Sequence, residues 1–227
     1  MTLKLFFMSN KCIVFDLDDT LYNEIDFLKS GFQSISKFLF SDKENQKKVY
    51  DNLINDYSSG KDAFEEIIKR YQINIPKKDI LLHYRNHLPN IKLAPNVQKT
   101  LESLKRNGYI MGIISDGRSI TQRNKINALD LNKYILDDRN IIISEDFGTE
   151  KPSQENYLYF YNLYPNIGEF FYVGDNPAKD FISPNKLGWT TIGIRNNGKN
   201  IHSQNIMDEK FNPKFWVTNF EEILSLI

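Results

Sequence analysis

The sequence lacks the features of secreted and membrane proteins. Its single cysteine, Cys12, has no second thiol with which to form an internal disulfide, which favours a reducing, cytoplasmic setting. No apolar run reaches the roughly 20 residues that a transmembrane helix needs. The apolar start at residues 3–8 is too short for the core of a secretion signal, and Met8 is an alternative start to Met1.

The chain also lacks net charge. Its 29 lysine and arginine residues balance 29 aspartate and glutamate residues, so the formal net charge is zero. This balance gives no support to nucleic acid or an anionic membrane as a partner. The sequence has no internal repeat and no low-complexity tract. With 41% hydrophobic and 13% aromatic residues, it can build the core of one large domain or two modest ones.

Three acidic residues crowd the end of the first predicted strand. The apolar run at residues 12–15 predicts a buried strand, and Asp16, Asp18 and Asp19 follow it directly. In open α/β sheets the carboxyl ends of the strands are where ligands bind. Like charges packed there repel each other unless a cation or a proton is shared among them. The cluster therefore predicts a site that holds a cation and a reacting group.

The segment of residues 23–93 has helical periodicity and few strand signals, which predicts four helices. The breaks between them fall near residues 41–42, 58–60 and 76. The remaining parts of the chain, residues 1–22 and 94–227, alternate apolar runs with helical segments, which favours a parallel sheet with right-handed crossovers. The predicted fold is α/β, with a Rossmann-like core of about five to six strands and an inserted α-helical cap.

The alternation after residue 94 predicts five further strands and five helices. The strands are expected at residues 109–114, 141–143, 170–173, 190–194 and 215–217. The helices are expected at residues 97–105, 119–129, 153–163, 178–187 and 220–227. Because parallel strands end at the same edge of a sheet, the residues that follow these strands are expected to lie together.

Polar or charged residues follow each of the core strands. Ser115 and Asp116 follow the second strand, and Lys151 lies after the third. Asp175 ends the fourth strand, and Asp180 comes five residues later. Carboxylates, a hydroxyl and an amine are thus predicted to converge on one pocket.

This set of groups suits phosphoryl transfer. Asp16 would attack phosphorus as an oxygen nucleophile, and Asp18 would protonate the leaving alkoxide and then deprotonate the hydrolytic water. Mg²⁺ takes oxygen ligands, which Asp16 and Asp175 would supply. Ser115 and Lys151 would donate hydrogen bonds to the phosphate oxygens.

The ordered set resembles the four motifs of the haloacid dehalogenase (HAD) superfamily of phosphatases. The motifs are Asp16-Leu17-Asp18-Asp19-Thr20, Ser115-Asp116, Lys151-Pro152, and Gly174-Asp175 with Asp180. The resemblance implies that Asp16 is the nucleophile, that Asp18 is the acid and base, and that Mg²⁺ is required. The insertion resembles the C1-type cap of that family.

The same resemblance assigns the remaining roles. It implies metal ligation by the carboxylates of Asp16 and Asp175 and by the backbone carbonyl of Asp18. Its phosphate-binding set is Ser115, Asp116 and Lys151. Thr20 and Asp180 would support the site, with Asp180 orienting Lys151 or a metal-bound water. The dehalogenases of the family lack an aspartate at the position of Asp18, so its presence here excludes that activity.

The expected substrate is a small phosphate ester such as a sugar phosphate or a nucleotide. Two alternatives stay open at this point: a phosphomutase that uses the same residues, and a non-enzymatic regulatory or scaffold protein of the same fold. The chain can act as a monomer or a homodimer. The i, i+4 pair His83 and His87 is expected on a helix surface, the loop at residues 60–62 is expected to be a plain turn, and Arg118 has no assigned role.

Overall fold

The protein, described by a computed structural model over residues 10–200, 202–204 and 208–227, has six strands in one parallel sheet. The predictions for the apolar start and Met8 lie outside the described residues. The strands are β1 Lys11–Phe15, β2 Ile110–Ser115, β3 Ile141–Ile143, β4 Glu169–Gly174, β5 Thr190–Ile194 and β6 Phe215–Val217. Their order across the sheet is β3-β2-β1-β4-β5-β6. The predicted α/β class and parallel sheet are confirmed.

Nine α-helices surround this sheet within the described residues. Those of the inserted segment are α1 Glu24–Leu39, α2 Lys43–Ser58, α3 Ala63–Tyr71 and α4 Lys77–Asn86. The others are α5 Pro95–Arg106, α6 Ser119–Ala128, α7 Ser144–Phe147, α8 Glu155–Leu163 and α9 Ile182–Lys186. No helix in the described ranges combines the length and apolar character needed to cross a membrane.

The central position of β1 places the acidic cluster in the middle of the sheet edge. Phe15 is in register with Ile113 of β2 on one side and with Val173 of β4 on the other. The backbone N–H of Asp16 still bonds to the carbonyl of Val173 at 2.8 Å, so the ladder continues into the cluster. The carboxyl ends of β1, β2 and β4 therefore meet, as the sequence predicts.

Both faces of the sheet are buried, which explains why its strands are continuous apolar runs. One face packs under α5 and α6 through residues such as Ile13, Leu101 and Ile126. The other face packs under α8 through aromatic residues such as Tyr157 and Phe160. These two layers fix the sheet edge on which the polar residues lie.

The four helices of the inserted segment have a hydrophobic cluster of their own. It contains Phe32, Leu53, Ile67 and Ile80, one from each helix, all of them almost fully buried. The side chains of Asp42 and Asp62 accept backbone N–H groups at the starts of α2 and α3, which satisfies donors that a helix leaves unpaired. The four predicted helices and their breaks are confirmed.

Two predictions of local structure were wrong, and one helix was not predicted. The helix expected at residues 178–187 is only α9 Ile182–Lys186, because residues 175–181 form a turn closed by the carbonyl of Asn176 and the carboxylate of Asp180. The last segment is a 3₁₀ helix over Phe220–Ser225 instead of an α-helix. The short helix α7 was not expected, and its four residues offer no periodicity from which to predict it.

Candidate active site

A cavity of about 100 Å³ opens at the carboxyl edge of β1, β2 and β4. The residues that line it are Asp16, Asp18, Glu24, Ser115, Asp116, Asp175, Asn176, Lys179 and His202. A groove of about 820 Å³ lies on the outer side of α1 and α2, but it contains none of the predicted site residues. The polar residues at the strand ends therefore line the smaller cavity.

Lys151 is buried next to Asp16, one of the residues that line this cavity. Its ammonium group contacts Asp16, lies 2.7 Å from Oδ1 of Asp180, and is 3.2 Å from the hydroxyl of Tyr172. Burial disfavours the charge, but the two carboxylates outweigh it and raise the pKa of Lys151 well above its usual value. Lys151 is therefore a fixed cation beside the predicted nucleophile.

Three carboxylates crowd this region. Oxygen atoms of Asp16, Asp175 and Asp180 all lie within 4.8 Å of one another. Burial raises the pKa of Asp16 to about 7, even though Lys151 opposes this change. Burial, with the negative charges of Asp16 and Asp180, raises the pKa of Asp175 to about 9. Without a second cation, such a cluster holds protons.

The donor set fits a hard divalent cation. All three groups offer carboxylate oxygens, the ligand atoms that such ions prefer. Asp180 is already engaged, because Lys151 and the backbone N–H groups of Asp175 and Asn176 surround it. Asp16 and Asp175 also have hydrogen-bond partners, Asp16 in Thr20 and Lys151 and Asp175 in Asn200. These two carboxylates line the cavity, where a cation could bind, whereas Asp180 is not among the lining residues.

Asp18 is surrounded by donors. It accepts from the hydroxyl of Tyr22, from Nε2 of Gln122 at 2.8 Å, and from the ammonium of Lys125 at 2.7 and 2.9 Å. Burial raises the pKa of Asp18, but the charge of Lys125 and the three donors outweigh this effect and lower it overall. In the free protein these contacts favour the ionised form of Asp18.

The comparisons with known proteins bear on this arrangement. Residues 13–194 match the family described as haloacid dehalogenase-like hydrolases. The chain belongs to this family. The match covers well over half of the chain and begins within β1, just before Asp16.

Two curated relatives and one solved structure show the extent of the similarity. This HAD-like hydrolase is 31% identical to a glyceraldehyde 3-phosphate phosphatase of Methanocaldococcus jannaschii, over 81% of this chain and 84% of the relative. It is 22% identical to a phosphoglycolate phosphatase of Pasteurella multocida, over 96% of this chain and 98% of the relative. The HAD-hydrolase YfnB of Bacillus subtilis, solved with magnesium, matches 96% of this chain and 98% of its own with a TM-score of 0.64 at 19% identity. The predicted family and the prediction of a phosphatase are confirmed.

Asp116 lines the cavity of this HAD-like hydrolase, and its carboxylate contacts two lysine residues. Its carboxylate lies 2.9 Å from the ammonium of Lys179 and accepts the backbone N–H of Lys151 at 3.1 Å. It does not cap α6, whose N-cap residue is Arg118. Because a carboxylate repels a phosphate, we expect this carboxylate to hold two lysine-bearing segments in place. The predicted contact of Asp116 with phosphate stays a prediction.

The supporting residues lie where their roles need them. The hydroxyl of Thr20 donates to Oδ2 of Asp16 at 3.2 Å. Asp180 spans Lys151 and the turn after β4, so it orients the lysine. Asp19, in the left-handed region with φ 55°, accepts the N–H of Glu24 at 2.8 Å and so ties the start of α1 to the site.

Sequence reasoning missed six polar residues of the site as described, and three of them, Glu24, Asn176 and His202, line the cavity. Lys179 also lines the cavity beside Asp116, and Gln122 and Lys125 reach Asp18 from α6. A weak signal for the last two was present, because they share the buried face of α6 with the apolar Ile126. Nothing in the sequence marks Lys179, since an isolated lysine is most often exposed.

The other residues noted in the sequence have structural roles. His87 is buried, contrary to the expectation of a surface position, and its Nδ1 lies 2.6 Å from the carbonyl of Tyr84. The Nε2 of His83 lies 2.9 Å from the hydroxyl of Ser34, so the two histidines point to different partners. Arg118 is exposed and pairs with Glu145 at 3.4 Å.

Proposed function

We propose that this HAD-like hydrolase is a Mg²⁺-dependent phosphomonoesterase that works through an aspartyl-phosphate on Asp16. The supporting observation is that the nucleophile Asp16, the acid and base Asp18 and the cation ligand Asp175 line one cavity. The buried cation Lys151 contacts Asp16 beside it. The volume of about 100 Å³ suits a phosphoryl group and little more. The site therefore takes the phosphate and leaves the rest of the substrate to the cap.

In the first step, an oxygen of Asp16 attacks phosphorus and the ester P–O bond breaks. For this step Asp18 has to carry a proton, although its donors favour the ionised form in the free protein; it gives that proton to the leaving alkoxide, which departs as an alcohol. Lys151, Ser115 and Lys179 donate hydrogen bonds to the phosphoryl oxygens as charge develops on them.

In the second step, water attacks the aspartyl-phosphate. The bond between phosphorus and Asp16 breaks, inorganic phosphate is released, and Asp18 takes the proton of the water. Asp18 is then ready to act as an acid again. Asp180 keeps Lys151 aligned through both steps, because its Oδ1 lies 2.7 Å from the same ammonium that contacts Asp16.

The residues that would hold Mg²⁺ are Asp16, Asp175 and the backbone carbonyl of Asp18. Bound there, Mg²⁺ neutralises charge that the phosphate and the carboxylates would otherwise concentrate in one place. The raised pKa values of Asp16 and Asp175 support this proposal, because a cation would replace the protons that the cluster otherwise needs.

We propose that residues 23–93 form a cap over a core made of residues 1–22 and 94–227. Glu24, the first residue of α1, lines the catalytic cavity, so the cap reaches the site directly. A cap that covers the cavity selects the substrate and excludes water. The curated relatives named above point to small phosphorylated metabolites, and Cys12, buried and unpaired, supports a cytoplasmic location.

The test is release of inorganic phosphate from p-nitrophenyl phosphate, glyceraldehyde 3-phosphate, phosphoglycolate, sugar phosphates and nucleotides, with and without Mg²⁺. A phosphatase releases phosphate from at least one of them only when Mg²⁺ is present. A phosphomutase would instead isomerise a sugar phosphate in the presence of a bisphosphate activator and release little phosphate. No turnover under any of these conditions would reject the proposed function.

A further inference from the structure

One face of α6 carries a buried cation that the two steps above leave without a role. Lys125 is 3% exposed, and its ammonium contacts both oxygens of Asp18. A buried lysine loses favourable solvation, so its presence requires a partner that compensates for this loss. Here the partner is the residue that carries protons in the proposed reaction.

The contacts of Lys125 fix the orientation of Asp18. A carboxylate has about four lone-pair directions for hydrogen bonds. At Oδ1 these directions are occupied by hydrogen bonds from Tyr22 and Lys125. At Oδ2 they are occupied by hydrogen bonds from Gln122 and Lys125. Lys125 is the partner that bonds to both oxygens, so it prevents rotation of the carboxylate about its last bond.

Gln122 connects this carboxylate to the phosphate-binding hydroxyl. Its amide nitrogen lies 2.8 Å from Oδ2 of Asp18, 2.6 Å from the hydroxyl of Ser115 and 3.0 Å from the carbonyl of Asp116. The amide has two N–H donors for these three acceptors. When Asp18 needs a free lone pair to accept a proton, Gln122 can therefore break its hydrogen bond to Asp18 and keep the one to Ser115.

Lys125 is itself held by the cap. Its ammonium lies 4.4 Å from the ring centre of Phe27 in α1, within the range of a cation–π contact. On neighbouring positions of α6, Thr121 and Asn124 donate to backbone carbonyls of Arg85 and Asn86 at the end of α4. Helix α6, whose Gln122 and Lys125 bond to Asp18, therefore contacts both the first and the last helix of the inserted segment.

We propose that Lys125 is a positioning residue for Asp18 in the hydrolysis of the aspartyl-phosphate, an inference that rests on the proposed function. In that step, water forms a bond to phosphorus, the bond from phosphorus to Asp16 breaks, and the proton of the water goes to Asp18. Lys125 keeps the accepting carboxylate turned toward the cavity, and Gln122 yields the lone pair that the proton takes.

The test is steady-state kinetics of Lys125→Met with p-nitrophenyl phosphate, together with the mass of the intact protein after rapid quenching. The leaving group of this substrate needs no proton, so the first transfer, and with it kcat/KM, is expected to stay within about twofold. Hydrolysis loses its positioned base, so kcat falls at least about tenfold and KM falls with it. The quenched protein then gains the mass of a phosphoryl group.

Two other variants serve as controls. Lys125→Arg keeps a cationic donor and is expected to recover part of the lost kcat. Arg123→Met changes an exposed cation of the same helix that pairs with Asp146 at 2.8 Å, and it should leave all kinetic parameters unchanged. If Lys125→Met does not fold, Lys125→Gln replaces it, because glutamine keeps one polar donor without spanning both oxygens.

The proposal is overturned if kcat and kcat/KM of the Lys125 variants fall by the same factor and no phosphorylated protein accumulates. It is also overturned if none of the Lys125 variants folds, since Lys125 would then be needed for folding instead of for this step. Failure of the proposed function looks different, because the unmodified protein would then release no phosphate and form no phosphorylated protein.

Discussion

The carboxylate of Asp180 occupies the space that a side chain on Gly174 would fill. A Cβ added to Gly174 would lie 2.6 Å from Oδ2 and 2.8 Å from Cγ of Asp180. The carboxylate cannot move aside freely, because it also bonds to Lys151 and to the N–H of Asn176. The glycine at the end of β4 is therefore what allows the turn after this strand to return to the active site.

Gly174→Ala is expected to lower activity more than stability alone would explain. The added methyl group displaces Asp180, and Lys151 then loses the contact that aligns it with Asp16. Overpacking of this kind costs roughly 1–3 kcal/mol of unfolding free energy. Urea unfolding and phosphate release measure the two effects.

Gly168→Ala is the matched control, because Gly168 lies directly before the first residue of β4. Its added Cβ would lie 2.7 Å from the amide nitrogen of Asn10, an exposed side chain that can rotate away. This variant should keep nearly normal stability and activity. Equal losses in both variants would contradict the role given to Gly174.

Asp16→Asn is expected to abolish phosphate release, because an amide oxygen does not form the covalent intermediate. The loss should reach roughly four orders of magnitude or more, the scale seen when a covalent nucleophile is removed from a hydrolase. Circular dichroism should show an unchanged fold. Asp19→Asn is the control, since asparagine can still accept the N–H of Glu24 and tolerates the left-handed backbone. Near-normal turnover by Asp16→Asn would reject the nucleophile.

Mg²⁺ is expected to stabilise the protein as well as activate it. The melting temperature should rise when Mg²⁺ is added, because a ligand that binds only the folded state stabilises that state. It should return to its starting value when a chelator removes the metal. Asp175→Asn should melt at a higher temperature than the parent without metal, since it removes one of three crowded carboxylates. A gain of about 1 kcal/mol corresponds to roughly 2–4 °C. A full Mg²⁺ shift in Asp175→Asn would contradict its role as a ligand.

The ion pair of Asp56 and Arg70 is expected to make stability depend on acid pH. Arg70 donates to Asp56 at 2.8 Å and lowers the pKa of this carboxyl, although burial opposes the effect. The folded pKa then lies below the unfolded value of about 3.9. The pair contributes fully above that value, and its contribution is lost as the pH falls through the folded pKa.

Urea unfolding at pH 7 and at successive values below pH 4 tests this expectation. Asp56→Asn should be less stable at neutral pH by about 1–3 kcal/mol and should show a weaker dependence on acid. Asp51→Asn, which breaks an exposed pair with Lys47, should change stability by at most about 1 kcal/mol. If Asp56→Asn keeps the acid dependence of the parent, other carboxyls are responsible for it.

The sequence by itself determined the fold class and the polar residues that meet at one edge of the sheet. Apolar runs followed by Asp16, Ser115 or Asp175 predict strand ends, and parallel strands must end at one edge, so the residues of the site follow from local pattern and topology. The four helices at residues 23–93 follow likewise from periodicity and breaks. These features depend on residues that are close to one another in the sequence.

Only the tertiary structure decided which groups touch. Lys125 and Asp18 are far apart in the sequence, and their contact depends on how α6 packs against the sheet and on Phe27 of α1. The same holds for the pairing of Lys179 with Asp116, which gives that carboxylate a structural role. Burial and pairing between distant residues set which groups carry charge, and no local pattern records them.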